Sequence, residues 1–197
     1  MPQGMREIAD WDLVGRARNG ETQAFAELVR RYQTPLIHFC RRLVGSIQEA
    51  EDLAQESFIR IYRNLPRLTP KAKFSTVLFG IARNLTLNAI RDAERRGRGK
   101  LQSMTCQEDG GEWSVPDTSQ GPNRVARLQE IENLIGAALL RLSPEHREVI
   151  LLRELQDLDY EEIARIIRAR KGTVKSRLAR AREQLRLRLV ELAGGEL

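Results

Sequence analysis

The chain has 197 residues, of which 41% are hydrophobic and 30% charged, so it can bury one modest core or two small ones and is too short for a large multidomain enzyme. Aromatic residues make up only 5%, whereas leucine, isoleucine, alanine and arginine abound, a composition that favours helices over a β-sandwich or barrel. The formal charge of +6 is evidence about partners rather than about fold. We predict an all-α protein.

The cysteine content and the hydropathy indicate the cellular compartment of the chain. Cys40 and Cys106 show neither metal-ligand spacing nor a disulfide framework, which fits a reducing environment. No apolar run approaches the roughly 18 residues of a membrane span, and the N-terminus lacks the layout of a signal peptide. We therefore expect a cytoplasmic chain without membrane insertion.

A break in the apolar pattern divides the chain. Residues 97–123 concentrate glycine, serine, aspartate and proline, and residues 101–123 contain four acids and no base. This composition predicts a flexible acidic linker. The predicted organisation is an N-terminal extension (1–19), which is either a disordered tail or packed on the first domain, a first helical domain (20–96), the linker (97–123) and a second helical domain (124–197).

The first domain shows three helical patterns. Apolar residues spaced three and four apart from Phe25 to Leu43 predict one helix, which Pro35 should kink or interrupt. Ser46 and Glu49 predict a capping box for a second helix that ends near Asn64. A third helix is predicted over 74–95, with an inward stripe of Phe74, Val77, Leu78, Ile81, Ala82, Leu85, Ala89 and Ile90.

The second domain ends in two helices that are joined by a short turn. Helical spacing over 125–142 is followed by Ser143-Pro144, a cap and a proline at the first helical position. Asp159 and Glu162 signal the start of a helix over 160–167, and the last helix is predicted over 171–192. The turn between these last two helices has the length of a helix-turn-helix motif.

The last helix carries the chemistry of DNA recognition. Ten basic residues and one acid lie between Arg165 and Arg188, a net charge of +9. A solvated face on a helical hairpin is the alternative, but the charge and the cap-turn-helix pattern together favour entry into the major groove. Arg168 stands where such turns often have glycine, because a positive φ costs another residue about 1 kcal/mol.

Two further surfaces have open interpretations. On the helix that follows Ser46 the outward positions are Asp52, Gln55, Glu56, Ile59 and Arg63. An exposed isoleucine among carboxylates indicates a protein partner, whereas acids in a first turn can equally complement the helix dipole. Helix 74–95 bears Arg83, Asn84, Asn88 and Arg91 and follows a loop that contains Lys71 and Lys73, which suits nucleic acid or a plain solvent face.

Enzymatic motifs are missing from the sequence. There is no HExxH pattern, nucleophile elbow or phosphate loop, and His38 and His146 are interpreted as structural. We predict a protein that is not an enzyme and needs neither a metal nor another cofactor.

Three segments resemble the extracytoplasmic-function sigma factors of bacterial RNA polymerase. They are EAEDLAQESFIRIYRNLPRL at 49–68, KFSTVLFGIARNLTLNAIRDAERR at 73–96 and LSPEHREVILLRELQDLDYEEIARIIRARKGTVKSRLARAREQLR at 142–186. The chain departs from the family pattern at Val77, Asn88 and Arg168, where tryptophan, aspartate and glycine are frequent. The resemblance implies core polymerase, promoter DNA and an anti-sigma factor as partners.

The resemblance also implies roles for the three surfaces. Asp52, Gln55, Glu56, Ile59 and Arg63 fall where the family binds the polymerase coiled coil. Loop 66–73 with Lys71, together with Lys73, Arg83, Asn84, Asn88 and Arg91, corresponds to the surface that captures and melts the minus-ten element. The residues expected to read the minus-thirty-five element are Arg170, Lys171, Thr173, Lys175, Ser176, Arg177 and Arg180. The alternative is a polymerase-independent helix-turn-helix regulator that binds DNA through 142–192 and uses 20–96 for dimerisation or ligand binding.

Overall fold

The computed structural model describes residues 9–97 and 122–194. These residues form helices and short connections without a strand, which confirms the predicted all-α class. Most of the predicted linker, including Cys106, lies outside the described residues. The helices are α1 Asp10–Arg18, α2 Thr22–Val44, α3 Ile47–Asn64, α4 Phe74–Arg95, α5 Pro122–Leu140, α6 Pro144–Ile150, α7 Tyr160–Ile167 and α8 Lys171–Leu192.

Helices α1 to α4 share one core. α2 packs against α3 and α4 through side chains such as Leu28, Phe39 and Leu78, which are fully buried. α1 lies on α2 and buries Leu13 and Val14. Of the two alternatives for residues 1–19, the structure therefore places 10–18 against the first domain, whereas 1–8 lie outside the described residues.

Of the kink or interruption predicted at Pro35, the interruption does not occur. α2 runs through this residue without a break and ends at Gly45, whose φ of +87° suits glycine. Proline removes one helical hydrogen bond. The burial of Leu36 and Phe39 directly after it, and of Leu28 before it, offsets that loss and keeps the helix continuous.

Local signals set the starts of the helices. The Ser46 hydroxyl accepts a hydrogen bond from the Glu49 N–H at 3.3 Å, so the Ser46 half of the predicted capping box is formed. At α7 the box is complete: Asp159 Oδ1 accepts from the Glu162 N–H, and Glu162 Oε2 accepts from the Asp159 N–H, both at 2.9 Å. These bonds satisfy N–H groups that a helix start leaves unpaired.

α4 lies between the two domains. It packs on α2 and α3 on one side and on α7 on the other. Its buried residues therefore extend around the helix and include Thr76, Phe79, Thr86 and Leu87, which the predicted stripe lacks. Five members of that stripe are half-buried instead of fully buried: Val77, Ile81, Leu85, Ala89 and Ile90. Val77, Ile81 and Ile90 nevertheless pack against the core, as predicted.

A second contact joins α2 to α5. The Arg42 guanidinium donates to the Glu132 carbonyl at 3.1 Å, and Gly136 leaves room for it because a Cβ there would lie 2.7 Å from Arg42 Nη1.

The second domain has its core between its last three helices. α6 continues as a π-helical turn, Leu151–Leu155, and α6, α7 and α8 bury Val149, Leu152 and Val174 between them. The described parts of the two predicted domains thus form one packed body.

Candidate nucleic-acid interface

The connection between α7 and α8 has the geometry of a helix-turn-helix. Arg168 ends α7 with φ +53° and ψ +47°, the left-handed conformation expected at this position. The Ala169 N–H donates to the Ala164 carbonyl at 3.0 Å and closes the turn. Val174 and Leu178 are buried, so the opposite side of α8 faces outward.

The outer side of α8 carries two kinds of cation. Lys171 pairs with Glu161 at 2.8 Å and Arg182 with Glu154 at 2.6 Å, and these hydrogen bonds raise the pKa of both cations. In the described part of the chain, no carboxylate forms an ion pair with the exposed Arg170, Lys175 or Arg180. The positive charge available to a ligand is therefore concentrated in the first half of α8.

Three other predicted residues of α8 differ in accessibility. The exposed Ser176 hydroxyl donates to the Thr173 carbonyl at 3.1 Å, and Thr173 is half-buried. Arg177 is also half-buried, with Nη1 3.9 Å from Glu148 Oε1. The predicted set thus lies on α8 and its N-cap, Arg170, and Lys175 and Arg180 are exposed cations within the helix.

The second domain contacts some of the predicted residues on α4 and the preceding loop and leaves the others exposed. Lys71, Asn84, Asn88 and Arg91 are exposed. Lys73 Nζ lies 3.1 Å from Glu162 Oε1, although most of the lysine side chain remains exposed.

Arg83 is held by Glu148 of α6 instead of lying on an open face. Its Nε and Nη2 atoms donate to the two carboxylate oxygens at 2.6 and 3.1 Å, and only 15% of the arginine side chain is exposed. The Glu148 side chain has no exposed area, and a buried carboxylate requires cationic partners. Arg83 and Arg177 supply them, one from each predicted DNA-binding set.

Arg147, next to Glu148, also links the domains. It donates from Nε to the Leu139 carbonyl at 2.8 Å, from Nη2 to the Leu142 carbonyl at 2.9 Å, and from Nη1 to the Leu43 carbonyl of α2. Burial lowers the pKa of this guanidinium to about 10, so it stays charged at neutral pH. A cation suits this place because α2 and α5 both end here, with the negative ends of their dipoles.

A groove with a largely apolar lining lies between α2 and α3 of the first domain. Its volume is about 480 Å³, and its apolar lining includes Phe25, Val29, Phe58 and Tyr62. The Tyr62 side chain is 52% exposed at its rim, with its ring 5.0 Å from that of Phe25. The groove can therefore accept apolar side chains of another macromolecule.

The predicted outward set of α3 only partly lines this groove. Gln55 and Ile59 line it, but Ile59 is half-buried and not exposed as predicted. Asp52 and Arg63 are exposed outside the lining, and Glu56 pairs with Arg60 at 2.7 Å. Sequence analysis missed Tyr62, although its spacing of three from Ile59 places both on one side of the helix.

Glu148, Arg147 and the groove side chains of α2 were also missed. Arg83 and Glu148 are 65 positions apart, so no local pattern indicates their contact. Phe25 and Val29 match the pattern of ordinary core residues, because their neighbours in the groove belong to a different helix. Arg147 and Glu148 are adjacent charged residues directly before the apolar run 149–152. This pattern is also typical of a surface helix.

Other chemistry is sparse in residues 9–97 and 122–194. Over these ranges no three histidine, cysteine or acidic side chains cluster as metal ligands, and no helix is long and apolar enough to cross a membrane. Cys40 is fully buried and accepts from the Thr86 hydroxyl, and burial raises the pKa of its thiol to about 11. Its predicted packing role agrees with this environment.

Comparisons with known proteins agree with the geometry. The model of sigma-70 region 2 matches residues 28–96, and that of sigma-70 region 4 matches residues 132–185. The ECF RNA polymerase sigma factor SigW of Bacillus subtilis is 37% identical over 187 residues, which cover 91% of this chain and 96% of that protein. The RNA polymerase sigma-H factor of Pseudomonas aeruginosa is 36% identical over 180 residues, 89% of this chain and 91% of that protein.

Solved structures give the same result. CnrH in complex with the cytosolic domain of CnrY has a TM-score of 0.65 at 25% identity, covering 91% of this chain and 96% of that one. RpoE in complex with the anti-sigma factor NepR from Bartonella quintana has a TM-score of 0.61 at 27% identity, covering 88% and 98%. With both sigma regions in order and relatives that match along nearly their whole length, the chain belongs to the extracytoplasmic-function sigma factors of bacterial RNA polymerase.

Proposed function

We propose that this chain binds core RNA polymerase and directs it to promoters by contacting two DNA elements, one with each domain. The observation that carries the proposal is the presence of regions 2 and 4 in one chain, combined with a row of accessible cations on the recognition helix. Polymerase supplies catalysis, so the chain itself is not an enzyme and needs no cofactor. It acts where polymerase and the chromosome are, in the cytoplasm.

Core polymerase binds at the groove between α2 and α3. Its apolar lining supplies area that loses water on binding, which is the main favourable term in association. Asp52, Glu56 and Arg63 lie outside the lining and provide charges that set orientation and rate of association. Gln55 and Ile59 join the apolar and polar parts of this surface.

The minus-thirty-five element is read by α8. Arg170 and Lys171 begin the helix, and Lys175 and Arg180 extend from its exposed side. Phosphate contacts supply affinity that depends on salt, and contacts of Lys175, Ser176 or Arg177 with base edges supply register. Thr173, at the first turn, lies at the position from which recognition helices contact DNA.

The minus-ten element is captured by α4 and the loop before it. Asn84, Asn88 and Arg91 are accessible on one side of α4, and Lys71 is accessible on the loop. Unpairing a base costs a few kcal/mol, which stacking and hydrogen bonding of the extruded base offset. Asn88 in place of the frequent aspartate leaves this surface without one negative charge that would repel phosphate.

Promoter binding requires the two domains to separate at α4. Arg83 and Arg177 belong to different DNA surfaces, yet both contact Glu148. When DNA binds, it replaces the carboxylate as the partner of these arginines. An anti-sigma factor, the kind of partner in the RpoE and NepR complex, is a further ligand of this chain and regulates the same surfaces.

Transcription with purified components tests the proposal. The chain and core polymerase are mixed with fragmented genomic DNA, and the 5′ ends of the transcripts are mapped. We expect start sites that share two upstream elements and that are missing with core polymerase alone. Transcripts identical with and without the chain would reject the proposal.

The rival function is a regulator that acts without polymerase. It requires a stable homodimer of the free chain that protects a palindrome from nuclease digestion. Sedimentation of the free chain and footprinting without polymerase distinguish the two functions.

A further inference from the structure

Helix α1 is hydrogen-bonded to the loop that precedes α4. Three bonds run from α1 side chains to loop carbonyls. Trp11 Nε1 donates to the Ala72 carbonyl at 2.9 Å, and Arg18 donates from Nε to the Leu65 carbonyl at 3.2 Å and from Nη2 to the Leu68 carbonyl at 2.6 Å. α1 thereby holds both the beginning and the end of this loop.

The helix that carries these donors, α1, is itself held against the core. α1 buries Leu13 and Val14 against the core, and the Asp10 carboxylate accepts hydrogen bonds from Arg31 and Tyr32 of α2. The Trp11 ring meets Phe74, the first residue of α4, edge to face with centroids 6.3 Å apart. Because this packing fixes the helix, it also fixes the Trp11 and Arg18 side chains that hold the loop.

The loop itself has little regular structure. After a single 3-10 turn, Leu65–Arg67, its backbone bonds are short-range, such as Lys71 N–H to the Thr69 carbonyl at 2.8 Å. Its side chains Arg67, Thr69 and Lys71 are exposed. Three backbone carbonyls of this segment are thus bonded to α1, while the exposed side chains of the loop remain accessible to a ligand.

We propose that Trp11 and Arg18 are positioning residues for promoter opening, which act by setting the shape of loop 66–73. This inference rests on the proposed function, in which that loop and α4 capture the minus-ten element. A pocket that holds an extruded base must keep its contacts within roughly 0.5 Å, and a loop without regular structure needs external bonds to do so. α1 supplies these bonds without touching DNA.

The test uses substitutions that remove the bonds and preserve the packing. Trp11→Phe keeps an aromatic ring against Phe74 but loses the N–H donor, and Arg18→Met loses both loop bonds. Arg18→Lys retains a cationic donor. Arg16→Met is the matched control, because Arg16 lies on the same helix and pairs with Glu21 instead of the loop.

Each variant is assembled with core polymerase and assayed on a promoter selected by the transcription experiment. Permanganate reactivity measures opening on templates that carry single changes in either element. For Trp11→Phe and Arg18→Met, we expect discrimination between minus-ten variants to fall by about 5- to 10-fold, with discrimination at the minus-thirty-five element unchanged. Arg18→Lys should restore part of the loss, and Arg16→Met should match the parent.

A purely structural role would lower opening on all templates by one factor, together with the melting temperature and the yield of the polymerase complex. That outcome, or unchanged minus-ten discrimination in both variants, would overturn the inference while leaving the proposed function intact. Failure of the parent chain to open any template with core polymerase would overturn both.

Discussion

The two surfaces proposed to contact DNA differ in how the rest of the chain contacts them. On α8, Lys175 and Arg180 are exposed, and no carboxylate in residues 9–97 and 122–194 pairs with them. On α4, Arg83 is bound by Glu148, and Lys73, directly before α4, lies beside Glu162; both acids belong to the second domain. Acidic side chains of the second domain thus pair with cations of the surface proposed to bind the minus-ten element, and under this proposal domain contact and minus-ten binding compete.

The first prediction breaks the contact that Arg147 makes between the two domains, at the ends of α2 and α5. Arg147→Met removes a buried guanidinium and leaves carbonyls of α2 and α5 without their donor. We expect the free energy of unfolding to fall by about 3 kcal/mol, measured by urea denaturation. Arg141→Met, at an exposed position near the same turn, should change it by less than about 0.5 kcal/mol. Equal effects of the two changes would contradict the role of Arg147.

The second prediction concerns the open α8 surface. Lys175→Ala should weaken binding of the polymerase complex to the minus-thirty-five element by about 1–3 kcal/mol if the lysine contacts a base, with relaxed specificity at one position. Equal losses on all sequences with a smaller salt dependence would identify a phosphate contact. Arg186→Ala is the control, because that guanidinium pairs with Glu183 at 2.8 Å farther along the helix. An unchanged affinity for Lys175→Ala would contradict the assignment.

The third prediction tests whether Glu148 competes with DNA for the α4 surface. Glu148→Gln keeps the side-chain shape but removes the charge that holds Arg83 and Arg177. We expect the free chain to bind a single-stranded minus-ten oligonucleotide up to about 10-fold more tightly, equivalent to about 1.4 kcal/mol, measured by fluorescence anisotropy.

Glu145→Gln, three residues earlier and exposed, removes the same charge without removing these contacts. It should change affinity less than Glu148→Gln does. Equal gains would show a general effect of net charge and would contradict competition at this carboxylate.

The fourth and smallest prediction concerns the turn that presents α8. Arg168→Gly should raise the free energy of unfolding by up to about 1 kcal/mol, because φ of +53° strains a residue with a Cβ. Arg165→Gly, inside α7, should lower it by about 1 kcal/mol. Thermal unfolding measures both, and a lower melting temperature for Arg168→Gly would contradict the strain.

Sequence patterns predict features that depend on neighbours along the chain. The caps at Ser46 and Asp159 and the left-handed Arg168 agree with the structure because each depends on backbone groups within a few residues. The α7–α8 motif agrees for the same reason. The apolar period also places most helices correctly.

Sequence patterns do not predict features that depend on contacts between residues far apart in the chain. The burial of Arg83 depends on Glu148, the continuity of α2 at Pro35 depends on packing on either side, and the half-burial of Ile59 depends on the α2 side of the groove. An amphipathic period identifies one buried face of a helix. It cannot show that α4 is covered on two sides, because the second cover comes from another domain.

Nuclease footprinting on a promoter selected by the reconstituted complex tests the central claim most directly. The claim is that this sigma factor contacts two elements only when polymerase separates its domains. We predict that the chain with core polymerase protects both elements, whereas the free chain protects at most the minus-thirty-five element. Equal protection of both elements by the free chain, or of neither by the complex, would contradict it.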